Sequence, residues 1–92
     1  MTSVRFRPSP AVRASISGDG LVLLDVNGGV VLASNPIGAH IWQLMAQRRT
    51  GVEIARQLAI DYGVSIDRAH DDVGTFIRAL AARGLVIEEP PC

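Results

Sequence analysis

At Asn35-Pro36 the hydrophobic period of this chain changes from two to the three-or-four spacing of a helix, and that switch constrains the fold more than any other feature. Upstream, Val12, Ala14 and Ile16 alternate with Arg13, Ser15 and Ser17, the pattern of a half-buried strand. Ser17-Gly18-Asp19-Gly20 supplies a turn, and Leu21 to Val26 is apolar and β-prone apart from Asp25. Asn27-Gly28-Gly29 follows as a hairpin signal, and Val30 to Ala33 reads as a third strand. Connections this short predict an antiparallel meander in the order 1-2-3 with the second strand central.

Downstream, Asn35 is an N-cap and Pro36 stands at the first helical position. Ile37, Ile41, Leu44 and Met45 share one face, and Arg48-Arg49 close this helix against its dipole. Thr50 and Glu53 have the spacing of a capping box and open a second helix, which runs through Ile54 and Leu58 to Tyr62 with Gly63 as its C′ residue. Ser65 caps a third helix with the stripe Ala69, Val73, Phe76, Ile77 and Leu80, ended by Gly84. Leu85-Val86-Ile87 is extended, and residues 88–92 read as a solvated tail. The expected class is α+β: a three-stranded antiparallel β-meander followed by a three-helix bundle, one domain over residues 1–92 with an ordered core of about 10–87.

Composition narrows the function. Ninety-two residues suffice for one small domain, and 48% hydrophobic with 20% charged is a globular balance. A formal net charge of zero removes the simplest argument for a nucleic-acid or anionic-membrane partner. All nine basic residues are arginine, which excludes lysine Schiff-base and P-loop chemistry. Cys92 is the one cysteine, so no internal disulfide forms. Apolar runs fall far short of the ~20 residues that span a bilayer, and the first ten residues lack a signal-peptide stretch, so the expectation is a cytoplasmic protein without membrane contact.

Chemistry-bearing constellations are weak. His40 and His70 lie on different predicted helices, with Cys92 in the tail, so neither a metal site nor a cofactor is expected. Glu53, Asp67 and Asp19 are explained by a cap, a helix N-terminus and a turn. The glycines of Gly18-x-Gly20 and Gly28-Gly29 serve hairpins and open no helix, and the serines lack a nucleophile-elbow context. An enzyme is not expected.

Binding readings remain. A helix-turn-helix would place the third helix on DNA, but Asp67, Asp71 and Asp72 crowd its first turns and would repel phosphate, and Arg48, Arg49 and Arg56 are a modest basic group. The third strand is an edge without charge or proline, open to β-augmentation by an extended peptide. Coverage by helices or dimerisation through the same edge are the alternatives. With simple alternation, either the Val30/Leu32 set or the Val31/Ala33 set faces away from the core.

Leu23-Leu24-Asp25, the glycine hairpin, Asn35-Pro36-x-Gly38-Ala39-x-Ile41-Trp42, Thr50-x-x-Glu53-Ile54, Tyr62-Gly63-Val64, Asp72-Val73-x-x-Phe76 and Arg83-Gly84-Leu85-Val86 together resemble the PqqD family over roughly residues 10–87. These are recognition elements of ribosomally made, post-translationally modified peptide pathways. The length and the opening Val4-Arg5-Phe6-Arg7-Pro8 look most like the stand-alone versions of lasso-peptide clusters. The resemblance implies a winged-helix-like, non-catalytic domain that takes the leader of a precursor peptide as a strand beside the third strand, against the third helix. It further implies delivery to a leader peptidase or other modifying enzyme, with the chain a monomer or weak dimer. Carried over by position, the groove comprises Val30, Val31, Leu32, Ala33 and Ser34, with Arg68, Asp72, Thr75, Phe76 and Ala79 on the helix. Leu32 and Phe76 would form an apolar pocket or belong to the core. Asp72 would meet a leader cation or backbone N–H, or lie on a solvated face. Trp42 is expected in the core. Family members often carry aromatics in the third strand, where this chain has Val31 and Leu32.

Overall fold

The computed structural model describes residues 5–26 and 29–89. The Asn27-Gly28 tip of the expected hairpin, Val4 and Cys92 lie outside the described residues. The elements are β1 (Arg5–Pro8), β2 (Val12–Ser17), β3 (Gly20–Asp25), β4 (Val30–Ser34), α1 (Pro36–Ala46), α2 (Gly51–Tyr62), α3 (Ile66–Ala82) and β5 (Val86–Glu89). Strands β2, β3 and β4 form an antiparallel sheet in that order, followed by the three helices: the α+β, winged-helix-like arrangement anticipated.

The core sits between β3 and the helices. Leu21 and Leu23 on β3 are fully enclosed with Met45 of α1, Ile54 of α2, and Val73 and Leu80 of α3. Trp42 is buried, as expected. Ile37 is not: placed by spacing on the buried face of α1, it stands 41% exposed in the first turn.

Local signals explain the helix starts. Asn35 Oδ1 accepts from Gly38 N at 2.9 Å, and Ser65 Oγ accepts from Arg68 N at 3.2 Å. The Thr50–Glu53 capping box closes both ways, at 3.1 and 2.8 Å. Gly63 ends α2 in the left-handed conformation at φ 65°.

Two expectations are corrected. The first helix stops at Ala46, before the arginine pair. Arg48 takes a left-handed backbone (φ 69°), its carbonyl accepts from Arg5 Nε at 2.9 Å, and its guanidinium pairs with Glu89. The second correction concerns the chain's ends. The expected ordered span of 10–87 is too short, because β1 pairs antiparallel with β5 from Arg5↔Glu89 to Pro8↔Val86. Glu88 and Glu89 looked like a tail by charge alone. Pairing, the Arg48–Glu89 contact and the packing of Phe6 against the core hold this small second sheet.

The β3–β4 register slips: Leu23 faces Leu32, but Leu24 faces Val30. Val31 is therefore the extra residue of a β-bulge. This overturns the simple alternation expected for the third strand. Val31 and Leu32 both pack against the core, whereas Val30 (65% exposed) and Ala33 turn away from it.

Candidate functional site

Strand β4 has β3 on one side and, among the described residues, no strand on the other. What lies along that free side is α3, and two attachments fix its course. At the Ser34 end, Gly38 of α1 is wedged between Ser34 and Phe76. A Cβ on Gly38 would run into the Ser34 side chain and come within 3.3 Å of Phe76 Cε1. At the Val31 end, Arg83 Nη1 donates to the Val31 carbonyl at 2.8 Å. Seven helical residues from Phe76 to Arg83 rise about 10 Å. Three strand residues from Ser34 to Val31 also span about 10 Å. The two elements therefore run side by side in opposite directions.

Ala79 lies between the attachments and Thr75 directly before them, and both are small and exposed. The strip of surface between β4 and this stretch of α3 is termed the trough. Thr75 Oγ1 is approached by Arg78 Nη2 at 3.5 Å. Leu32 and Phe76 are each half-buried and packed against the core.

A shallow apolar pocket of about 80 Å³ lies between the start of α1, the end of α2 and the first turns of α3. It is lined by Ile37, Leu58, Tyr62, Val64 and Ala69 together with Arg68 and Asp72. The last two form an exposed i,i+4 pair at 3.7 Å. Tyr62 is placed by His40, whose Nδ1 lies 3.3 Å from its hydroxyl while Nε2 stands 3.5 Å from Asp61. The exposed Ile37 thus lines this pocket rather than sitting in the core.

Of the anticipated set, Val31 and Leu32 pack toward the core, Ser34 lies against Gly38 of α1, Phe76 is half-buried, and Thr75 and Ala79 are exposed on α3. Arg68 and Asp72 belong to the pocket. Val30 and Ala33 do not share that face, because the bulge turns them to the outer side with Leu24 and Val22. Sequence reasoning missed Ile37, Leu58, Tyr62, Val64 and Ala69 as a pocket, since only the packing of α2 on α3 brings them together. It also gave no role to Arg83. The available signal was its spacing, seven residues after Phe76 and four after Ala79, on the same helical stripe.

Among the described residues no three His, Cys, Asp or Glu side chains gather as a metal-binding group, and no helix is long and apolar enough to cross a membrane.

Comparison with known proteins places this geometry. The model of the family described as "Coenzyme PQQ synthesis protein D (PqqD)" matches residues 20–86. No curated protein matches the chain. The solved structure "TbiB1 in Complex with the TbiA(beta) Leader Peptide" is 27% identical, with a TM-score of 0.80 over 92% of this chain and 99% of that one. "Lasso peptide synthetase B1 complexed with the leader peptide" is 25% identical, with a TM-score of 0.79 over 90% and 98%.

Proposed function

This chain belongs to the PqqD family, and from that premise we propose that it binds the leader segment of a ribosomally synthesised precursor peptide in lasso-peptide biosynthesis. The leader adds as a strand to the free edge of β4, lies in the trough against α3, and is thereby presented to a processing enzyme, a leader peptidase or a cyclase. The observation that carries this reading is the edge of β4 that has no strand partner among the described residues, with Arg83 bonded to it at Val31 and Phe76 close to it at Ser34. Both structural relatives were solved with leader peptides, which supports the same class of ligand.

The energetics favour a combined main-chain and side-chain mode. A micromolar Kd requires about 8 kcal/mol. A few ladder bonds contribute about 1 kcal/mol each, so they fix register but leave most of the affinity to apolar burial. Leu32, Phe76 and the pocket beside Ile37 and Tyr62 offer that burial. The chain contributes no bond-making step. It raises the local concentration of leader and fixes its direction.

Fluorescence polarisation tests this with the labelled leader from the precursor reading frame beside this gene, and a scrambled control. Saturable binding at micromolar Kd or tighter is expected for the leader alone, with at least a tenfold loss in Leu32→Asp. A folded protein that shows no preference for leader over scramble contradicts the reading. Sedimentation would then ask whether β4 pairs with a second copy instead.

A further inference from the structure

Arg83 is tied by one nitrogen to the Val31 carbonyl, on the strand edge where a peptide would add. A guanidinium has five donors in a rigid fork, so this bond aims the others while leaving most of them unused. Arg83 is exposed, and no carboxylate among the described residues pairs with it. The surroundings are one-sided in charge. After Asp72, α3 carries Arg78 and Arg83 with no acidic residue, and β4 carries no charge. The acid near this end of β4 is Asp25, whose Oδ1 already accepts from Gly29 N at 3.1 Å. At the other end of α3, Arg68 is matched by Asp72. The trough therefore has a neutralised end and a cationic end.

We propose that Arg83 is a specificity-determining residue of the trough, which takes an acidic side chain of the added peptide in a charge-assisted contact beside the bulged Val31. This rests on the leader-binding reading. The bulge gives the position its meaning, because the extra residue interrupts regular pairing at Val31. With the Val31 carbonyl taken by Arg83, the ladder yields there to a side-chain contact. An Asp or Glu of the peptide then sets register where backbone pairing stops doing so, and a leader with lysine or arginine at that point is rejected.

The test measures polarisation binding of the same labelled leader to wild type, Arg83→Gln, Arg83→Lys and Arg83→Glu. Leader variants with each Asp or Glu changed singly to its amide, or to lysine, complete the set. Circular dichroism confirms that each protein variant is folded. Arg83→Gln is expected to weaken binding about five- to tenfold, with Arg83→Lys recovering part of the loss. One leader amide variant should lose the same factor in wild type and lose nothing more in Arg83→Gln. Arg83→Glu should regain affinity with the lysine variant at that position. The proposal is overturned if a leader without acidic residues binds as tightly, or if the Arg83→Gln loss adds fully to every leader variant. The additive result would mean that Arg83 acts only through the Val31 carbonyl. Failure of wild type to bind any leader is a different outcome, since it strikes the leader-binding reading itself.

Discussion

Phe76 and Asp72 show how far a single residue was legible. Phe76 sits at a core spacing on α3, is partly buried and lies close to Gly38, and in the proposed reading its outer side also meets the leader, so no one-dimensional pattern separates the two roles. Phe76→Ala should therefore cost stability as well as affinity. Its half-buried ring implies about 1–3 kcal/mol, below the 3–5 kcal/mol of a fully enclosed phenylalanine, and thermal melts in parallel with binding separate the two effects. Asp72 is exposed and, among the described residues, ion-paired with Arg68 alone, so Asp72→Arg should leave the melting temperature within about a degree or two. It should weaken a leader that places a cation in the adjoining pocket, as a titration at constant salt would show; unchanged affinity would remove Asp72 from the site. Arg83 was not legible for another reason: the carbonyl it bonds is 52 residues away.

Elements were easier to read than their ends. The caps Asn35, Thr50 and Ser65 act locally, and all three appear as their side-chain chemistry predicts. Thr50 is buried and reciprocally bonded with Glu53, so Thr50→Ala should destabilise by about 0.5–2 kcal/mol in denaturant unfolding without changing the trough. The backbone N–H of Thr50 holds the Glu53 carboxyl below its ordinary value of 4.5, with the Thr50 hydroxyl, Arg49 and Arg5 acting in the same direction. A lowered folded-state value means that the contribution is fully present well above pH 4.5 and fades as the pH falls through and below it. Glu53→Gln should flatten the acid limb of stability over that window. The β4 bulge was not legible, because Val30-Val31-Leu32-Ala33 is apolar throughout and carries no alternation to mark a slipped register. The end of α1 was misread because Arg48 adopts a positive φ that sequence assigns to glycine or asparagine.

At the scale of the molecule, the three-stranded sheet and three helices followed from the change of period at Asn35-Pro36. The β1–β5 sheet did not, because it joins the two ends of the chain and rests on a contact between Arg48 and Glu89 that no local pattern encodes. This sheet packs on α1 and α3. Phe6→Ala should lower the melting temperature by several degrees, at roughly 4–8 °C per kcal/mol for a domain this size, with leader affinity unchanged once folded. The central claim is that the leader adds to β4 as a strand. Amide hydrogen exchange of the protein with and without saturating leader tests it most directly. Selective slowing of outward-facing amides in β4, together with protection in the leader backbone, is the predicted result. Tight binding that leaves β4 amides unchanged, with protection confined to another surface, would contradict it.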